Sequence, residues 1–106
     1  MKDTRLLSDK LIALFDLLTM PRIEKEITVL NPQGLHARPA ALFVQIASKY
    51  DASVTVTKDD RSINGKSIMG ILMLGAEQHS QVVLCVDGQD AEIMMKELEE
   101  FLTKND

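Results

Sequence analysis

The spacing of apolar residues along this chain alternates between the period of a helix and the period of a strand. The first stripe has the helical spacing i, i+4, i+7, i+8 and i+11, at Leu7, Leu11, Leu14, Phe15 and Leu18. Thr4 or Ser8 suits the capping position, and Pro21 is expected to end the helix. Residues 1–22 are therefore predicted to be an N-terminal extension with an extra amphipathic helix, followed by a domain over residues 23–106.

Four later segments are predicted to be strands, and the first two alternate apolar and polar residues with period two. This pattern predicts half-buried strands, because neighbouring side chains of a strand point to opposite faces of the sheet. The apolar members are Ile23, Ile27 and Val29, then Val54 and Val56, then Ile63 in a short segment, and finally Val82, Leu84 and Val86. The polar residues 58–60 are expected to turn the chain between the second and third strands.

Three segments between and after these strands have helical spacing. The first follows a loop over residues 31–34 and admits Pro39 in its first turn. The second is short, from Ile68 to Leu74, with Ser67 as its N-cap and Gly75 at its end. The third follows Asp90. The apolar faces of the first and third helices are Phe43, Ile46, Ala47 and Tyr50, and Met94, Leu98, Phe101 and Leu102.

The predicted order is β-α-β-β-α-β-α, and at least two strands are polar on one face. Such an arrangement indicates an α+β fold with helices on one side of a sheet. We expect an open-faced β-sandwich, with a four-stranded, mainly antiparallel sheet and three helices on one face. The 106 residues, 45% hydrophobic and 26% charged, leave room for one globular core of this kind.

The composition excludes several classes of protein. A single cysteine, Cys85, rules out an internal disulfide framework and a multi-thiolate zinc site, and favours a reducing compartment. The apolar stretch from Leu11 to Leu18 contains Asp16 and is shorter than the ~20 residues of a membrane span. It also lacks a cleavage motif for secretion. We therefore expect a cytoplasmic protein that does not enter a membrane.

The charge of −4 is unevenly distributed. Residues 90–106 hold six acids and two bases, so residues 1–89 are neutral overall. Two stretches, residues 27–50 and 61–76, contain basic residues and no acid, which suggests a local anion site. Their basic residues are Arg38, Lys49, Arg61 and Lys66. Nucleic acid is excluded as a partner, because there is no basic run and there are only four aromatic residues.

The strongest candidate for chemistry is the segment Gly34-Leu35-His36-Ala37-Arg38-Pro39, which runs from a loop into a helix. A helix start presents unpaired N–H groups and the positive end of the macrodipole, so a phosphate is favoured there. The same field disfavours an imidazolium and leaves a nitrogen of the His36 ring free to act as a nucleophile. Arg38 can bind phosphate oxygens in a bidentate fork. On local spacing alone, however, His36 is better explained as a polar residue near a cap.

Two motifs together resemble the HPr family, the histidine-containing phosphocarriers of the bacterial sugar phosphotransferase system. They are Asn31 with residues 34–40, and residues 66–70, in the family's order and spacing, within a resemblance from about Ile23 to Leu102. The resemblance implies that His36 accepts a phosphoryl group on Nδ1 from phosphorylated enzyme I and donates it to enzyme IIA domains. It also implies that Arg38 stabilises the phosphate and that no cofactor or metal is needed. Such a protein is a carrier rather than an enzyme.

Ser67 matches the family's regulatory serine, which a dedicated ATP-dependent kinase phosphorylates in some bacteria. Its neighbours Ile68, Met69 and Leu72 resemble the residues that dock partners, although apolar residues of this kind often belong to a core. We expect Met69 at the surface, because a short helix cannot turn every apolar residue inward. Residues 65–67 also evoke a nucleotide-binding loop, but the earlier glycine of that motif is replaced by Asp60, so ATP binding is rejected.

Three hypotheses remain open on the sequence. The leading one is the phosphoryl relay. The second is a regulatory binding module, in which Ser67 phosphorylation and docking to transcription factors or enzymes dominate. The third, a catalytic domain with His36 as general base, is weakened because no carboxylate or second histidine lies near His36 in the sequence.

Members of the family start close to the first strand, and translation from Met20 would leave 87 residues. The extension is therefore expected to be either the product of an upstream translation start or a real extra helix.

Overall fold

The computed structural model describes residues 10, 11, 14 and 21–105. Lys10, Leu11 and Leu14 are helical and exposed. The other residues of the predicted first stripe, and both of its candidate caps, lie outside the described residues. The extension and its boundary at residue 22 therefore stay predictions.

Four strands and three helices follow in the predicted order. The strands are β1 (Arg22–Thr28), β2 (Ser53–Lys58), β3 (Arg61–Asn64) and β4 (Gln81–Asp87), and the helices are α1 (Ala37–Ser48), α2 (Ile68–Leu74) and α3 (Ala91–Leu102). The strands form one sheet in the order β1-β4-β2-β3, with every neighbouring pair antiparallel. The predicted α+β open-faced sandwich is confirmed. None of the helices in the described part is long and apolar enough to cross a membrane.

The register of the strands places their apolar residues side by side on the face that carries the helices. Val86 of β4 lies opposite Ile23 of β1 and Val54 of β2, and Leu84 lies opposite Val56. Above this row, Phe43 of α1 is fully buried and meets the ring of Phe101 edge-on, with 6.4 Å between centroids. Every buried side chain among the described residues is apolar, so burial of apolar surface is what holds the helices to the sheet.

Polar contacts from α3 hold the end of α1 and the turn that follows it. Asp90 accepts hydrogen bonds from the backbone N–H groups of Asp51 and Ala52, both at 2.9 Å. Both bonds stabilise the charged carboxylate and so lower the pKa of Asp90, and the bond from the Asp51 N–H is the larger of the two causes. Glu97 accepts from Lys49 Nζ at 2.6 Å and from the Tyr50 hydroxyl, and the bond from Lys49 is the largest cause that lowers the Glu97 pKa.

Two turns require a left-handed backbone at residues other than glycine. Asp59, between β2 and β3, has φ +56°, and His79, before β4, has φ +74°. Both residue types tolerate this region better than most. The N–H of His79 donates to the carbonyl of Val29 at 2.6 Å, which ties the turn before β4 to the end of β1. The turn predicted at residues 58–60 is confirmed.

Candidate functional site

The loop between β1 and α1 places His36 at the first turn of α1. Gly34 has φ +62°, and its N–H donates to the carbonyl of Asn31 at 2.9 Å. The Asn31 side chain closes the same loop, since its Oδ1 accepts from the N–H of Gln33 at 3.2 Å. Leu35, fully buried, then anchors the chain in the core, and its N–H donates to the carbonyl of Ala76 at 2.8 Å. The residue that follows Leu35 therefore emerges at a fixed place.

A methyl group at Gly34 would have no room. Its Cβ would lie 2.5 Å from the carbonyl oxygen of Ala76 and 3.1 Å from Cα of Glu77. Glycine is thus required here for close approach of two backbones as well as for the positive φ. This approach brings the loop before α1 against the segment that follows α2.

His36 is the N-cap residue of α1, with extended backbone at φ −93° and ψ −176°. Its side chain makes no capping hydrogen bond, so the imidazole is not used to close the helix. Its carbonyl accepts from the N–H of Ala40 at 2.8 Å, and Pro39 has no N–H to offer. The amides of Ala37 and Arg38 are thus the first donors of the helix, beside a ring that is half-exposed. An anion near the ring meets the positive end of the helix macrodipole.

The imidazole has a carboxylate partner that sequence reasoning missed. Nε2 of His36 lies 3.1 Å from Oε1 of Glu77, 41 residues further along the chain. The pairing follows from the backbone, because Glu77 comes directly after Ala76, just as His36 comes directly after Leu35. A search limited to the neighbourhood of His36 in the sequence could not find it.

Arg38 is exposed and lines a groove of about 550 Å³. The other lining residues include Asn31, Gln33, Leu42 and Lys104. Within residues 21–105, no carboxylate lies within 4.0 Å of the Arg38 guanidinium and no hydrogen bond joins it to the His36 ring. No group of residues 21–105 therefore holds the guanidinium in place, and its long stem allows it to turn toward the His36 ring.

Three of the four basic residues in the two acid-free stretches are hydrogen-bonded to other groups of the protein, and the anion site expected there stays a prediction. Lys49 pairs with Glu97, and Nζ of Lys66 donates to the carbonyl of Tyr50 at 2.6 Å. Arg61 donates to the carbonyl of Met73 at 2.8 Å and so binds the C-terminal end of α2. These cations stabilise turns and helix ends, which a count of charges along the chain cannot reveal.

Ser67 caps α2, as its position in the sequence predicts. Its Oγ accepts from the N–H of Gly70 at 3.0 Å, and Gly75, with φ +64°, ends the helix. Met69 is 66% exposed, so the prediction that it lies at the surface is confirmed, and Ile68 and Leu72 are also exposed. We call these exposed side chains of α2, together with Met73, the α2 patch. Because α2 packs against α1, the α2 patch lies on the side of the sheet that carries the helices.

Comparison with known proteins gives one consistent result. Residues 23–104 match the family model described as "PTS HPr component phosphorylation site". The phosphocarrier protein HPr of Xylella fastidiosa strain Temecula1 is 41% identical over 79 residues, which cover 74% of this chain and 89% of the relative. The HPr-like protein Crh of Halalkalibacterium halodurans is 39% identical over 82 residues, covering 77% of this chain and 98% of the relative.

The fold agrees with solved structures of the same group. The crystal structure of the phosphocarrier protein HPr of Bacillus anthracis superposes with a TM-score of 0.75 at 38% identity, over 76% of this chain and 96% of that one. A four-stranded antiparallel open sheet with three helices is common to both. The chain belongs to the HPr family, the phosphocarriers of the phosphotransferase system, and the resemblance found in the sequence is confirmed.

Proposed function

We propose that this protein carries a phosphoryl group on Nδ1 of His36, taken from phosphorylated enzyme I and passed to enzyme IIA domains. The observation that carries the proposal is the half-exposed imidazole at the N-cap of α1 that makes no capping hydrogen bond. A ring in this position has a nucleophilic nitrogen available and faces the positive end of a helix. Membership of a phosphocarrier family supports the same role.

Each group has a distinct part in the transfer. The lone pair of Nδ1 attacks phosphorus, the Nδ1–P bond forms, and the bond from phosphorus to the donor breaks with its electron pair going to the donor. The phosphate oxygens are bound by the first amides of α1 and by the guanidinium of Arg38, which turns toward them. In donation, a nucleophile of enzyme IIA attacks phosphorus and the Nδ1–P bond breaks, with its electron pair returning to Nδ1. Because His36 is exposed, both partners can reach it, and the exchange is expected to take place in the cytoplasm.

The test is phosphorylation of the full chain with phosphoenolpyruvate and a catalytic amount of enzyme I. We expect an acid-labile, base-stable adduct, one per chain, that disappears on addition of an enzyme IIA domain. His36→Ala should abolish the adduct, whereas His79→Ala, which removes the other histidine, should not. An adduct that survives His36→Ala, or a wild-type chain that stays unmodified, would overturn the proposal.

Arg38 is expected to stabilise the phosphoryl group rather than to accept it. Arg38→Ala should lower the rate of transfer and leave the adduct on His36. Arg38→Lys should restore the rate only in part, because an ammonium cannot form the bidentate fork of a guanidinium. Equal rates for all three proteins would show that Arg38 has no part in transfer.

A second function, regulation through Ser67, is favoured by the position of this serine beside the α2 patch and by the likeness to Crh. A phosphate there would add a charge of about −1.5 to −2 next to Ile68, Met69 and Leu72 and would repel acidic partners. A serine kinase, its phosphorylase and regulatory proteins would then be additional partners. Cells carrying Ser67→Ala should lose this control while phosphoryl transfer through His36 continues. Unchanged regulation in those cells, with loss of response in His36→Ala cells, would exclude it.

A further inference from the structure

We infer that Glu77 is a positioning residue for His36: its carboxylate holds the proton of the imidazole on Nε2 and so keeps Nδ1 as the nucleophile. The inference rests on the proposed function, since it explains why one ring nitrogen rather than the other would receive the phosphoryl group. The observation is the distance of 3.1 Å between Nε2 of His36 and Oε1 of Glu77.

The direction of this hydrogen bond is dictated by chemistry. An ionised carboxylate has no proton and can only accept, so the nitrogen that faces it must be the N–H donor. A neutral imidazole carries one proton, and with that proton on Nε2 the lone pair lies on Nδ1. Nδ1 is not consumed by the helix, because the His36 side chain makes no capping hydrogen bond. The pair therefore selects one of two tautomers.

The carboxylate is well placed by the backbone. The N–H of Leu35 donates to the carbonyl of Ala76 at 2.8 Å. His36 comes directly after Leu35, and Glu77 comes directly after Ala76. The segment after Glu77 is also held, because the N–H and hydroxyl of Ser80 donate to the Glu77 carbonyl at 3.1 and 2.6 Å. The position of the Glu77 backbone thus does not depend on its side chain, which is 72% exposed. Substitutions of that side chain can be made without loss of the fold.

The carboxylate has a second effect during transfer. When Nδ1 bonds to phosphorus, the ring gains positive charge, and the proton stays on Nε2 beside the carboxylate. An acceptor fixed behind an imidazole stabilises such charge and orients the ring, as the aspartate does in serine protease triads. Because Glu77 faces Nε2, on the opposite edge of the ring from the reacting nitrogen, its negative charge is kept from the incoming phosphate.

The test combines a spectroscopic and a kinetic measurement on the full chain. The ¹⁵N shifts of both histidine rings are recorded for wild type, Glu77→Ala and Glu77→Gln in neutral to mildly alkaline buffer. In wild type, Nε2 of His36 should have the shift of a protonated nitrogen and Nδ1 that of an unprotonated one. Glu77→Ala should move the His36 shifts toward a mixture of tautomers, Glu77→Gln should restore them in part through its carbonyl oxygen, and His79 should not change.

Transfer from phosphorylated enzyme I should change in parallel. For an exposed hydrogen bond we expect kcat to fall about two- to tenfold in Glu77→Ala with KM unchanged, and Glu77→Gln to lie between the two. Unchanged His36 shifts in Glu77→Ala would overturn the inference whatever the rate does, and so would a rise in KM alone, which would mark Glu77 as a docking residue. Failure of the proposed function is distinguishable, because wild type would then accept no phosphoryl group while the ring shifts still report the tautomer.

Discussion

Two glycines of this protein have nearly the same left-handed backbone but different surroundings, and alanine at each should separate two physical costs. Gly34 has φ +62° and Gly75 has φ +64°. A Cβ at Gly75 would have no atom within 4 Å, whereas at Gly34 it would lie 2.5 Å from the carbonyl oxygen of Ala76. Gly75→Ala therefore measures the cost of the backbone conformation alone, and Gly34→Ala measures that cost plus a steric clash.

The expected magnitudes follow from these distances. A left-handed L-residue costs about 1–2 kcal/mol, and replacing glycine by alanine recovers about 0.4–1 kcal/mol through the unfolded chain. Gly75→Ala should thus destabilise the protein by about 1 kcal/mol. The clash at Gly34 cannot be relieved by rotating a side chain, because the atom it meets belongs to the backbone, and overpacking of this kind adds about 1–3 kcal/mol.

Urea and thermal unfolding of both variants, followed by circular dichroism, measure the difference directly. The melting temperature should fall by about 4–8 °C for each kcal/mol, so Gly34→Ala should melt well below Gly75→Ala. Since the clash pushes Ala76 away from Leu35, Gly34→Ala should also accept phosphoryl groups more slowly at temperatures where it is fully folded. Equal loss of stability in the two variants would refute the idea that close backbone approach, rather than φ, makes glycine necessary at position 34.

Substitutions at three further positions test the cap of α2, the turn before β4 and the contact made by Asp90. Ser67→Ala should lose about 0.5–2 kcal/mol of stability because the cap of α2 is removed, whereas Ser67→Asp, which can still accept from the Gly70 N–H, should lose little; equal loss in both would contradict a capping role. His79→Gly should raise stability by up to about 1 kcal/mol, because the left-handed cost of His79 exceeds the added freedom of the unfolded chain, and a lower urea midpoint would contradict this. The lowered pKa of Asp90 means that the unfolded chain binds more protons in acid, so its contribution is present at neutral pH and is lost as pH falls below about 4. The difference in urea midpoint between wild type and Asp90→Asn should accordingly be largest near pH 7 and shrink as pH falls below about 4, and a difference that is constant with pH would argue against it.

Much of the fold could be predicted because its signals are local. Ser67, Gly75 and the apolar stripe between them define α2 within a few residues, and the apolar run around Val82, Leu84 and Val86 defines β4 in the same way. The α+β class then follows from the order of elements and the polarity of the strands. The strand order β1-β4-β2-β3 was not predicted, since it depends on pairing between segments far apart in the chain.

The candidate site was predicted only in part for the same reason. The helix start at His36 is a local feature and could be found from its motif. Glu77 reaches His36 only because two backbones meet at Leu35 and Ala76, and Asp90, which precedes α3, turns its carboxylate to the end of α1 instead of capping its own helix. Contacts of this kind depend on tertiary packing, which periodicity does not encode.

The central claim is that Nδ1 of His36 is the atom that carries the phosphoryl group. The full chain, labelled with ¹⁵N and phosphorylated by enzyme I and phosphoenolpyruvate, allows phosphorus–nitrogen coupling to be read for each ring nitrogen by NMR. We expect coupling at Nδ1 of His36 and none at either nitrogen of His79. Coupling at Nε2 of His36, or at His79, would contradict it.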